Sequence, residues 1–158
     1  MDEHVDEYNV MYEPFGPTTG WSWGNGTIAV RSYDTDGKIT QVDSGGLKTY
    51  LYDDAFRITG ITDTLAPANT WAYGYDALDR LTSATKSGTT QGWTYDANGN
   101  RLAQTGTTPS TYTVSATNNR ITSTTGALAR SYTYNAVGSA LAYSTVTATY
   151  KNSGRLKT

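Results

Sequence analysis

The sequence contains no cysteine and a single histidine, His4. Without thiols, neither disulfides nor thiolate metal sites can form. One histidine cannot build a histidine-rich metal centre, and a Ser-His-Asp constellation would have to recruit His4 from the acidic opening of the chain. Large core formers are scarce, with two Phe and two Met among 158 residues. No apolar run approaches the length of a membrane span. Charged residues make up 16% of the chain and the net charge is −2, so no basic surface for nucleic acid is indicated. No motif calls for a cofactor.

What is abundant points one way. There are 29 threonines, 16 glycines and 13 tyrosines. Thr and Tyr suit a pleated, half-wet surface, while Gly, Asn and Asp supply turns. The composition predicts an all-β protein with thin apolar layers. The acids are unevenly placed. Residues 1–13, MDEHVDEYNVMYE, hold all three Glu together with Asp2 and Asp6, and no Lys or Arg. The rest of the chain holds nine acids against twelve bases. Residues 1–13 therefore read as an acidic N-terminal arm, and 14–30 as a segment linking that arm to a series of repeats.

From residue 31 to 158 the chain repeats about every twenty residues. Tyr-Asp recurs at Tyr33-Asp34, Tyr52-Asp53, Tyr75-Asp76 and Tyr95-Asp96, and degenerate copies carry Tyr112, Tyr134 and Tyr150. Two residues before the key tyrosine stands Tyr50, Tyr73, Trp93 or Tyr132, which marks one face of a strand. Turn residues follow, as in "DTDG", "DALD" and "DANGN". Then comes a base and an aliphatic residue: Lys38-Ile39, Arg57-Ile58, Arg80-Leu81, Arg101-Leu102, Arg120-Ile121 and Arg155-Leu156. A Thr/Ser-rich strand closes the unit. Each repeat reads as a β-hairpin, and about seven in a row predict a strip of antiparallel hairpins, curled on itself or associated with a second copy to cover its aromatic face. A β-propeller fits less well, because its blades need about 40 residues each.

The segments "YDALDRLTSAT" and "YDANGNRLAQTG" resemble the YD repeats of the RHS (rearrangement hot spot) family. That family takes in bacterial polymorphic toxins, wall-associated proteins, the cocoon subunits of insecticidal Tc toxins, and teneurins. "PFGPTTGWSWGNGT", residues 14–27, is similar to a segment that links bacterial RHS repeats. The resemblance implies a spiralling β-strip that, in full-length members, closes into a hollow shell around a toxin or other cargo. It also implies a secreted or cell-surface parent protein. The shell's self-cleaving segment carries an Asp-Pro motif; no Asp-Pro occurs here, so that protease is not carried over. The expectation is a piece of shell wall, with no signal peptide at its start and no toxin domain after Thr158.

In this reading the repeat positions build structure. They are Tyr33, Asp34, Tyr52, Asp53, Arg57, Tyr75, Asp76, Arg80, Tyr95, Asp96, Arg101, Tyr134, Tyr150 and Arg155. Tyrosines fill the thin apolar layer, aspartates open turns by accepting backbone N–H groups, and the bases lie along the sheet toward an aspartate of their own or the next copy. A catalytic site needs one constellation and not a ladder. Asp53-Asp54 and Asp76/Asp79 are carboxylate pairs of the kind a hydrolase uses, yet they fall at turns where Asp is expected. Asp96, Asn98 and Asn100 begin a calcium-loop spacing that no glutamate completes; an Asn98-Gly99 turn accounts for them. The stronger alternative is a carbohydrate-binding surface module, with Trp21, Trp23, Trp71 and Trp93 offering flat faces to sugar rings. The expected partners are other repeats of a larger shell, a second copy in a symmetric homodimer that covers the aromatic face, a polysaccharide, or the enclosed cargo.

Overall fold

The structure, a computed structural model, describes residues 7–157; His4 and the rest of residues 1–6 lie outside it. The chain divides into two units, one up to Thr89 and one from Thr90. The first holds β1 (Glu7–Tyr12), β2 (Thr18–Trp23), β3 (Ile28–Tyr33), β4 (Ile39–Asp43), β5 (Leu47–Tyr52), β6 (Ile58–Asp63), β7 (Trp71–Tyr75) and β8 (Leu81–Lys86). Beginning at the boundary, the second holds β9 (Thr89–Tyr95), β10 (Arg101–Gln104), β11 (Ser110–Val114), β12 (Ile121–Gly126), β13 (Arg130–Tyr134), β14 (Ala140–Tyr143) and β15 (Val146–Thr147). Within each unit every strand pairs antiparallel with its neighbours in chain order. The expected strip of consecutive hairpins is what the chain forms. Among the described residues the one helical element is a single 3-10 turn, Pro67–Asn69, in the β6–β7 connection.

Alternation along the strands sorts the side chains. Tyr50, Tyr52, Ile61, Trp71, Tyr73 and Lys86 share a face, as the partners Tyr50↔Ile61, Ile61↔Trp71 and Trp71↔Lys86 require. Thr49, Leu51, Gly60, Ala72 and Gly74 take the other face. One face is therefore aromatic and basic, the other small and hydroxylated. Among the described residues only Ala29 and Ala84 are buried apolar residues, and no large side chain is completely buried. The aromatic residues are half-buried instead of forming an enclosed core, because within each unit a single sheet covers them from one side only.

Register shows a feature that the periodicity does not announce. In the β5–β6 hairpin, Leu51 faces Gly60 while Tyr52 faces Ile58, leaving Thr59 as an extra residue on the return strand. The same slip leaves Thr40, Thr82, Leu102, Thr122 and Leu141 extra in the other hairpins. A β-bulge thus follows nearly every outer turn, bending the return strand and increasing its twist.

The outer turns that open on Asp34, Asp53, Asp76 and Asp96 share one backbone solution. In the turn after Tyr95, the N–H of Gly99 donates to the Asp96 carbonyl at 3.2 Å, and the N–H of Asp96 to the Asn100 carbonyl at 3.0 Å. The third residue after the aspartate lies in the left-handed region, with φ of 85° at Gly99, a conformation glycine adopts freely. Phe56 occupies the same position with φ of 63°, an uncommon place for a bulky residue. The Lys38 ammonium stands 4.1 Å from the centroid of its ring and offsets part of that strain.

Candidate functional site

The candidate site recurs along the repeats. It lies where the key tyrosine, the turn and the return strand meet. Asp34 Oδ1 accepts the backbone N–H groups of Asp36 at 3.0 Å and Lys38 at 2.9 Å. Asp53 does the same for Ala55 and Arg57, Asp76 for Leu78 and Arg80, and Asp96 for Asn98 and Asn100, all between 2.8 and 3.0 Å. These N–H groups point into the turn, where no strand reaches them, so the carboxylate supplies the acceptor that they need. The other oxygen faces the residue four positions on. Arg57 Nε lies 2.7 Å from Asp53 Oδ2, Arg80 Nε 2.7 Å from Asp76 Oδ2, and Lys38 Nζ 3.2 Å from Asp34 Oδ2.

In the fourth copy Asn100 takes that slot, its amide donating to Asp96 Oδ2 at 2.8 Å. Arg101 falls one residue later, opposite Tyr95, and its Nη1 donates to Gln104 Oε1 at 3.3 Å. The alignment of Arg101 with Arg80 thus slips by one residue, because "DANGN" is one residue longer before its base than "DALD". Asp96, Asn98 and Asn100 satisfy one another within the turn, and Asn98 and Asn100 Nδ2 both reach Asn119 Oδ1 at 3.2 Å.

The tyrosine does not stay within its own hairpin. Tyr52 donates its hydroxyl to the Ile39 carbonyl at 2.8 Å, and Tyr75 to Ile58 at 2.8 Å. Tyr134 donates to Ile121 at 2.7 Å and Tyr150 to Ala140 at 2.9 Å. Each acceptor is the residue opposite the key position of the preceding hairpin. The rings are gripped as well: Lys38 lies over Tyr52 at 5.6 Å, Arg57 over Tyr75 at 5.0 Å, and Arg120 over Tyr134 at 5.6 Å. Arg57 goes further, with Nη1 2.7 Å from Asp79 Oδ1 and 3.1 Å from the Asp76 carbonyl in the next turn.

Backbone pairing explains why the tyrosine is needed. Between hairpins the ladder is short: β4–β5 ends at Gln41↔Thr49 and β6–β7 at Gly60↔Ala72. Beyond those pairs adjacent hairpins splay toward the outer turns, leaving carbonyls such as Ile39 and Ile58 without a strand partner. The tyrosine hydroxyl crosses the gap and satisfies them. We refer to this unit of tyrosine and preceding carbonyl, with a preceding base over the ring at Tyr52, Tyr75 and Tyr134, as a joint.

The N-terminal region carries a further joint that the Tyr-Asp periodicity misses. Tyr12 faces Thr18 as Tyr33 faces Ile39, and Tyr33 donates its hydroxyl to the Thr18 carbonyl at 2.8 Å. Glu13 fills the acidic slot, with Gly16 N–H on its carbonyl at 2.9 Å. The signal was the spacing Tyr12-Glu13-x-x-Gly16 beside Tyr33-Asp34-x-x-Gly37. In the stretched fifth copy Val114 holds the key position opposite Ile121, while Tyr112 donates to the Gln104 side-chain oxygen at 2.9 Å.

The electrostatics suit anchoring. Side-chain and backbone hydrogen bonds from Arg57 hold the Asp53 carboxyl below its ordinary value. Desolvation raises Asp34 and Asp76, but hydrogen bonds from Lys38 and Arg80 outweigh it and both end up lowered. Acid–base catalysis by a carboxylate pair calls for one raised member. Among the described residues no group of three or more His, Asp or Glu could hold a metal ion.

The tryptophans sit elsewhere on the aromatic face. Trp71 and Tyr73 stack at 5.9 Å with ring planes 4° apart, and Lys86 stands 5.3 Å from the Trp71 centroid. With Lys48, Tyr50 and Asp63 they line a shallow cavity of about 320 Å³. Trp21 and Trp23 meet edge to face at 5.7 Å, and Arg31 covers Trp21 at 4.8 Å. Trp93, in the second unit, faces Gln104.

The repeats find counterparts among known proteins. The teneurin YD-shell family model matches residues 57–158, and the RHS repeat model matches residues 33–68. The chain belongs to the teneurin YD-shell family. Its fold is also that of part of the Photorhabdus luminescens Tc holotoxin pore, with a TM-score of 0.65 at 16% identity over 95% of this chain. The complex described as TcdB2-TccC3-Cdc42 gives 0.64 at 15% identity, again over 95% of this chain. TcdB2-TccC3 without its hypervariable C-terminal region gives 0.63 at 16% over the same share. This chain spans only 10–11% of those solved chains. No curated protein matches the sequence. Among the described residues no helix is long and apolar enough to cross a membrane.

Proposed function

We propose that this chain is a length of YD-shell wall, a non-catalytic structural strip whose parent protein is secreted or displayed at the cell surface and encloses a toxin or other cargo. The observation that carries the reading is the joint. Its tyrosine hydroxyl is spent on fastening one hairpin to the next, and the same bond recurs from Tyr33 to Tyr150. The expected partners are further repeats of the same wall and the cargo on its inner side.

A second reading is favoured by one feature. The Trp71 cavity places Tyr50, Tyr73, Asp63 and Lys48 around a half-buried aromatic ring, which suits a sugar ring and its hydroxyls. Against it, Trp71 is stacked on Tyr73 and approached by Lys86, so little open ring face remains. Binding of the folded chain to an array of bacterial and plant glycans separates the two. The wall reading predicts no saturable binding. Saturable binding abolished by Trp71→Ala or Trp93→Ala in a folded variant would replace it with carbohydrate recognition.

A further inference from the structure

We propose that the cavity between the outer turns following Tyr12 and Tyr33 binds a guanidinium group, supplied by an arginine side chain of a partner polypeptide. The template is the Tyr75 joint. There the Arg57 guanidinium lies 5.0 Å from the Tyr75 centroid, with Nη2 2.7 Å from Asp53 Oδ2 and Nη1 3.1 Å from the Asp76 carbonyl. A ring, a carboxylate of the preceding turn and a carbonyl of the following turn thus surround one planar cation. Lys38 over Tyr52 and Arg120 over Tyr134 repeat the cation on the ring.

The Tyr33 joint has the same walls but a different residue at the base position. Tyr12-Glu13-Pro14-Phe15-Gly16-Pro17 aligns with Tyr52-Asp53-Asp54-Ala55-Phe56-Arg57. Pro17 stands where Arg57 stands, and its carbonyl accepts the Glu13 N–H at 3.0 Å as that of Arg57 accepts Asp53 at 3.1 Å. Proline brings no cation. A cavity of about 380 Å³ lies there instead, lined by Glu13, Pro17, Tyr33, Asp34, Thr35 and Gly37. Glu13, Tyr33 and Asp34 are the positional equivalents of Asp53, Tyr75 and Asp76, three residues that hold the Arg57 guanidinium. Gly37 replaces Asp79, so this site offers one carboxylate where Arg57 meets two.

Proline also explains why that carboxylate is available. Asp53 Oδ1 is taken by the N–H groups of Ala55 and Arg57. Pro17 has no N–H to give, and among the described residues the Glu13 carboxylate has no hydrogen bond or ion pair. No cation lies over the Tyr33 ring among those residues, while its hydroxyl keeps the bond to Thr18. This surround suits guanidinium better than ammonium, because one planar fork can stack on the ring while donating to a carboxylate and a carbonyl. The Tyr150 joint also lacks a base, but its preceding turn opens on the uncharged Asn135. Among the described joints, therefore, only that of Tyr33 sets an unpaired carboxylate beside an uncovered ring.

This proposal goes beyond the wall reading, and the two fail separately: a folded chain indifferent to arginine would end the proposal and leave the wall intact. The test is an NMR titration of the full chain with a capped Gly-Arg-Gly peptide, beside the same peptide carrying citrulline, the neutral isostere of arginine. The arginine peptide should give saturable shifts at Glu13, Tyr33, Asp34 and Gly37, with affinity on the order of millimolar, and the citrulline peptide none. Glu13→Gln should weaken binding by about threefold. Pro17→Arg supplies the base from within the chain and should abolish peptide binding. If circular dichroism shows Pro17→Arg unfolded, Glu13→Gln, at an exposed position, carries the test. Absence of saturable shifts, equal shifts with citrulline, or undiminished binding in either folded variant would overturn the proposal.

Discussion

Asp53 shows how much one residue settles in this chain. Its first oxygen closes the turn and its second fixes Arg57, which then covers Tyr75 and reaches Asp79. Its carboxyl, like those of Asp34 and Asp76, is held below the ordinary 3.8. A group whose value is lower in the folded state stabilises the fold above its unfolded value, and that contribution is lost as pH falls through the folded value. Stability should therefore stay level from neutral pH down to about pH 4 and drop below it. In Asp53→Asn the acid-side drop should be shallower, as urea midpoints across pH 2–5 would record; an unchanged profile would remove Asp53 from this role. Gly99 tests the turn. A Cβ there would meet no atom within 4 Å, so the cost of Gly99→Val comes from the φ of 85° alone. It should destabilise by about 1–2 kcal/mol, and an unchanged melting temperature would contradict the left-handed assignment. The Asn98-Gly99 turn was legible in the sequence because that dipeptide has few other uses. The Arg101 slip was not, since a one-residue insertion leaves the Arg-Leu pair looking intact.

At the level of the hairpin, sequence and structure agree where the chemistry is local. Tyr-Asp, the turn residues and the following base sit within seven residues and announced each repeat. The bulges at Thr40, Thr59 and Thr82 were invisible, because register depends on both strands and a threonine suits paired and bulged positions alike. The half-buried aromatic layer was equally hidden: composition shows that aromatics are plentiful, not that one sheet must cover them. If each hairpin is fastened to its neighbours by interchangeable joints, a whole repeat should be removable in frame. Deleting residues 53–75 joins Tyr52 to Asp76 and preserves the Tyr-Asp frame. Nearest-neighbour stability predicts a folded chain with cooperative unfolding and a smaller urea m-value. Loss of β-structure by circular dichroism would mean that the repeats are not interchangeable.

Across the whole molecule there is little conventional core to rely on. With Ala29 and Ala84 as the only buried apolar residues among those described, cohesion passes to backbone ladders and to the joints that bridge their gaps. That distribution suits a wall, which must be thin and extensible. The central claim is that tyrosine hydroxyls fasten repeat to repeat, and whole-chain urea unfolding of Tyr75→Phe beside Tyr143→Phe tests it most directly. Tyr75 donates to Ile58 across a joint, whereas Tyr143 is 39% exposed and its hydroxyl has no partner among the described residues. The account predicts that Tyr75→Phe costs about 1 kcal/mol and that Tyr143→Phe stays within about 0.5 kcal/mol of the parent. Equal, negligible losses in both variants would contradict it.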